Sequence, residues 1–130
     1  MIATTPEQSK KLIELGLNIN TSDMYWDFQE TGYILISSEL GYYRNDSEIP
    51  AWSLSALLKL MPEIRTEYGI MQPYLVGGFG RRFRFMCFYK ITYNTQNYDE
   101  PIDAAYEMIV WLLENGHIGK NECESKDSAG

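Results

Sequence analysis

The chain has 130 residues, with 18 acidic against 11 basic side chains and a net charge of −7. One domain is expected at this length: scaling gives roughly 7,100 Å² exposed when folded against roughly 21,900 Å² extended, so about two thirds of the surface can be buried without disulfides or metal. Apolar residues at 45% and aromatics at 14% exclude bulk disorder, and the negative charge disfavours nucleic acid and anionic lipid as partners.

Thr5, Pro6 and Gln8 mark a helix start: an N-cap, a first-position proline and the third-position partner of a capping box. Gly16 followed by Leu17 predicts a left-handed stop with a trailing apolar contact. Met24 to Phe28 alternates as a half-buried strand, and Glu30, Thr31 and Gly32 turn it into a second strand from Tyr33 to Glu39. A short strand at Tyr42 to Arg44 is a further option before Asn45, Asp46 and Ser47 break the pattern. Pro50 sets an extended approach to a second helix capped by Ser53, with Leu54, Leu57, Leu58 and Met61 on one face and Pro62 at its end. Glu63 to Gly69 reads as a polar connection.

Tyr74 to Val76 leads through Gly77, Gly78 and Gly80 into the longest strand signal, Arg82 to Tyr93. There Phe83, Phe85, Cys87, Tyr89 and Ile91 are expected inward, with Arg82, Arg84, Met86, Phe88 and Lys90 outward. Pro101 begins a third helix that runs to about Asn115, with Gly116 as its stop and a broad apolar face that includes Ile102, Tyr106, Ile109 and Leu113. The whole predicts a single α+β domain over residues 1–119: an antiparallel sheet of about four to five strands, from two hairpins, packed with three helices. Residues 120–130 form a polar tail without expected structure.

Cys87 and Cys123 are too few for a disulfide scaffold and read as free thiols. Met1 to Lys11 holds no apolar stretch for a signal peptide, and no window reaches the ~18 apolar residues of a membrane span, so residence in the cytoplasm and no membrane partner are expected.

Thr5 to Ser9 with Leu12 to Leu17, Asp23 to Trp26, Ile49 to Leu54 with Leu57 and Leu58, and Pro101 to Ala105 with Trp111 to Asn115 resemble segments of small uncharacterised proteins encoded by gut Bacteroidetes and their phages or mobile elements. The resemblance implies provenance and cytoplasmic residence, and it transfers no catalytic residue.

Several patterns invite chemistry, each beside a plainer account. Gly77-Gly78-Phe79-Gly80 precedes a strand rather than a helix, which suits a hairpin turn and not a phosphate loop. His117 is the only histidine, so a two-histidine metal site or a serine triad with a second histidine is excluded within one chain. Asp23 and Asp27 would lie about 13 Å apart on a strand, too far to share a proton. No metal, cofactor or convergent catalytic set emerges, and the leaning is away from an enzyme.

The strongest signal is a second apolar stripe on the third helix, Ala104, Met108 and Trp111. Either this helix is sandwiched inside the fold or the stripe, with Trp111 as anchor, contacts a protein partner or another copy. Trp52 is a hydrophobic staple or a further anchor. The leading expectation is therefore a non-catalytic cytoplasmic accessory or protein-interaction factor of phage or mobile-element origin. The alternative is a small-molecule or single-stranded nucleic-acid site at Arg82, Arg84 and Phe88.

Overall fold

A computed structural model describes residues 2–37, 48–66, 69–77, 83–87, 93–96 and 98–118. Helix α1, Pro6–Glu14, starts where local chemistry dictates: the Thr5 hydroxyl accepts from the Gln8 amide at 3.1 Å, and the Gln8 side chain accepts from the Thr5 amide at 3.0 Å. It ends as a Schellman motif, with Gly16 N–H on the Ile13 carbonyl at 2.9 Å and Leu17 N–H on the Leu12 carbonyl at 3.0 Å. Gly16 sits at φ 98°, where a side chain would be strained. Leu12 and Leu17, the two apolar positions of that motif, are both buried.

A single 3₁₀ turn, Ile19–Thr21, leads into strand β1, Met24–Gln29, which pairs antiparallel with β2, Gly32–Ser37, and with β3, Glu48–Ala51. Helix α2, Leu54–Leu60, begins at Ser53, whose Oγ accepts from the Ala56 amide at 3.1 Å. Asp23 clasps that cap: its carboxylate accepts from the Ser53 amide at 2.9 Å and from the Ser53 hydroxyl. This carboxylate thus ties the start of β1 to the start of α2. The buried face of α2 is rotated from the expected one, with Ala56, Leu57 and Met61 inside while Leu58 is exposed.

Trp52 precedes α2 with no exposed surface. Its indole N–H donates to the Thr21 hydroxyl at 2.9 Å, and its backbone amide donates to the Thr4 hydroxyl at 3.1 Å. The Thr4 amide returns a bond to the Trp52 carbonyl at 2.9 Å. The Thr4 and Ser9 hydroxyls, both buried, meet at 2.7 Å, so the polar groups of this corner satisfy one another. Trp52 and Leu57, at the two staple positions around the Ser53 cap, belong to one buried cluster.

The remaining strands are β4, Ile64–Thr66, β5, Gly69–Met71, β6, Tyr74–Gly77, β7, Phe83–Cys87, and β8, Tyr93–Asn94. The α+β class and three helices are as expected, but the strands divide, among the described residues, into three antiparallel groups: β2-β1-β3, β4-β5 and β6-β7-β8. The segment expected as a polar connection forms the β4-β5 ribbon, turned at Gly69 with φ 120°. The single long strand expected over 82–93 is two strands, since Cys87 pairs antiparallel with Tyr93 and Met86 with Asn94. Period-two alternation read as one strand because no glycine, proline or asparagine stands between Cys87 and Tyr93. The short strand expected at 42–44 and the tail at 120–130 lie outside the described residues.

Helix α3, Pro101–Glu114, closes the core. Ile102, Ala104, Ala105, Met108, Ile109, Leu112 and Leu113 are all buried. At about 100° per residue they span roughly half of the helix circumference. The helix packs on β7 along one side and on α2 along another, and Gln8 of α1 reaches its first turn by donating to Asp103 at 3.1 Å. What looked like two separated stripes is one continuous buried half-cylinder, joined through Ala105, Ile109 and Leu112. No helix among the described residues is long and apolar enough to cross a membrane.

On the outer side of α3, Tyr98 donates its hydroxyl to Glu107 at 2.7 Å. Burial pushes this phenol from 10.0 up to about 12, helped by the hydrogen bond to Glu107 and the charges of Glu107 and Asp103. With the folded value above the unfolded one, the stabilisation is complete below pH 10.0 and is lost as pH rises through about 12. Glu107→Gln is expected to lower the Tyr98 titration while leaving part of the rise, because burial remains. Phenolate absorbance of wild type, Glu107→Gln and Tyr98→Phe measures it; superimposable wild-type and Glu107→Gln curves would refute the coupling.

Candidate protein-interaction surface

The β1–β2 hairpin holds three of the large apolar side chains that are exposed among the described residues, Phe28, Tyr33 and Ile34. Its strands alternate aromatic, branched and polar residues, as suits a pleated surface. The turn passes through Glu30 and Thr31 into Gly32 at φ 123°. Nothing lies near the position of a Gly32 Cβ, so the backbone angle, not crowding, selects glycine. Burial falls along β1 from Tyr25, which is in the core, to Phe28 and Gln29, which are exposed. The base is anchored by Tyr25 and by the Trp26 indole N–H, which donates to the Thr4 carbonyl at 2.7 Å. The tip therefore projects beyond the core.

At that tip Phe28 and Tyr33 are directly opposed across the two strands. Their rings meet edge to face, with centroids 5.5 Å apart at an interplanar angle of 71°. Phe28 remains 61% exposed, Tyr33 42% and the adjoining Ile34 48%. Strand alternation places Phe28 and Tyr33 on one face and Ile34 on the other, so apolar surface wraps the outer strand on both sides. An aromatic pair of this kind contributes about 0.5–1.5 kcal/mol beyond area burial, which orders the tip without hiding it.

The electrostatics are one-sided. Between Lys11 and Arg44 the chain holds Glu14, Asp23, Asp27, Glu30 and Glu39 and no basic residue. Asp27 stands opposite Glu48 across β1 and β3 and accepts from the Gln29 side chain at 2.8 Å. Among the described residues, no three His, Cys, Asp or Glu side chains are arranged to hold a metal ion.

The residues expected to bind a partner are placed otherwise. Ala104, Met108 and Trp52 have no exposed surface, so they are core and not contact residues. Packing of α2 and the sheet against α3 consumes the stripe that a lone helix would have left open. Trp111 is partly buried against the same core and stacks on His117, ring centroids 5.2 Å apart. His117 is held there by the Schellman end of α3, its amide donating to the Leu112 carbonyl at 2.8 Å. For the alternative site, Arg82 and Phe88 lie outside the described residues, and Arg84 stands in β7 opposite Val76. Phe28, Tyr33 and Ile34 were missed as surface. Alternation shows which residues share a face but not how far along the hairpin the core reaches.

A pocket of about 300 Å³ beside α2 is bordered by Thr21, Asp23, Ala56, Lys59 and Leu60. Its Asp23 carboxylate is engaged by Ser53, and its Thr21 hydroxyl accepts from Trp52 and donates to the Asn18 carbonyl. These two polar groups serve the fold. No protein-family model, curated protein or solved structure matches the chain.

Proposed function

We propose that the chain is a non-catalytic, cytoplasmic accessory or protein-interaction factor of phage or mobile-element origin, which makes its contact through the β1–β2 hairpin. The observation that carries this reading is the exposed Phe28–Tyr33 pair with Ile34 at the end of a hairpin anchored in the core. Exposed aromatic residues on a rigid support are the type that dominate binding energy at protein interfaces. Provenance rests on the resemblance of the two ends and the central block to proteins of that source. The non-catalytic reading is supported by the engagement of the well-placed carboxylates in structural bonds: Asp23 with Ser53, Asp103 with Gln8, Glu107 with Tyr98.

Panning the folded protein against a displayed peptide library is the direct test. Selected peptides are expected to lose at least about tenfold in affinity, or about 1.4 kcal/mol, on Phe28→Ser and to be unaffected by Ile70→Ser on the β4-β5 ribbon. A selected set indifferent to Phe28 would refute the hairpin as the contact surface.

A further inference from the structure

Resting on the hairpin as the contact surface, we infer that the outer edge of β2 accepts an extended segment of a partner protein as an added strand, one in which apolar residues alternate with lysine or arginine. The strand order β2-β1-β3 leaves β2 at the end of its group, and among the described residues no strand pairs with its outer side. The backbone N–H and C=O of every second residue of such an edge strand point away from its neighbour and can bond an added strand.

Edge strands are ordinarily guarded against this by lysine, proline or a bulge. Gly32-Tyr33-Ile34-Leu35-Ile36-Ser37 carries no charge and no proline, and its ladder with β1 runs without a bulge from Met24↔Ser37 to Gln29↔Gly32. Tyr33 and Ile34 are exposed on opposite faces, so an added strand extends an apolar row on each side.

Charge selects the occupant. Asp27 shares the face of Ile34, one strand in from the edge, and Glu30 lies in the turn beside it. Two copies joined edge to edge would set protomers of charge −7 each side by side, with no basic residue between Lys11 and Arg44 to offset the repulsion. A strand bearing basic side chains neutralises Asp27 and Glu30, and long lysine or arginine stems lie over Ile34 on the way.

The test uses the full chain and a labelled peptide alternating lysine and valine over the length of β2, read by fluorescence anisotropy. A glutamate–valine analogue and a lysine–valine peptide N-methylated at its central residues are the comparisons; the second keeps every charge and side chain but lacks the amide donors. Binding of the first peptide is expected, with a loss of about tenfold or more for each analogue and for Ile34→Lys. Asp27→Asn is expected to weaken the lysine peptide selectively. Equal binding of the glutamate peptide overturns the charge argument, and equal binding of the methylated one overturns strand addition. Light scattering that gives a dimer abolished by Ile34→Lys makes a second copy the occupant and also overturns the proposal. If none of these peptides binds while library peptides still depend on Phe28, the contact surface stands and the strand inference falls.

Discussion

Trp52→Ala is expected to lower folding stability by about 3–5 kcal/mol, the range for truncating a buried aromatic residue. The side chain has no exposed surface and belongs to the same buried cluster as Leu57, Leu12 and Leu17. Removing it opens a cavity and deletes the bond from its indole to Thr21. The backbone bonds between Trp52 and Thr4 survive the substitution, so the loss reports on the side chain. Domains are stable by only about 5–15 kcal/mol in total, and the urea midpoint should therefore fall by a large fraction. Trp26→Phe supplies a scale: it keeps a ring and removes one indole bond to the Thr4 carbonyl, for about 1 kcal/mol. A Trp52→Ala midpoint at the wild-type value would mean that this indole is a surface anchor after all.

Met108→Ser should cost about 2–5 kcal/mol, as for other truncations of a buried methionine. It should not change the mass seen by light scattering under conditions where the variant is folded. Met108 lies in the buried half of α3, a helix that packs on both α2 and β7. The introduced hydroxyl can bond the carbonyl one turn earlier in the helix, so the deficit comes mainly from lost packing. An interface residue gives the reverse pattern, with stability retained and assembly altered. Trp111→Ser is the companion variant, because its ring is only partly buried and stacks on His117. Its effect on stability is expected to be smaller than that of Met108→Ser, and a change of mass confined to Trp111→Ser would return the interface to that residue.

Helix ends were legible because the groups that make them lie within a few residues of one another. Thr5 and Gln8, Gly16 with Leu17, Ser53 and Gly116 each bond amides or carbonyls of their own turn, and Pro101 presets the first φ of its helix. The first hairpin was legible for the same reason: Gly32 closes a turn between two alternating runs. The second helix was placed correctly, yet its inner face was misjudged because Leu58 fits an apolar stripe and faces water all the same.

Periodicity and capping within one segment determined the three helices and the first hairpin, but not the β4-β5 ribbon or the division between β7 and β8. Only the tertiary structure decided that α3 is covered on both flanks, that the strands fall into three groups, and that core contact ends before Phe28 and Tyr33. Those outcomes depend on which distant element arrives to cover a surface. Hydrophobic attraction is non-directional, so an apolar side chain carries no label saying whether its cover comes from the same chain or from another.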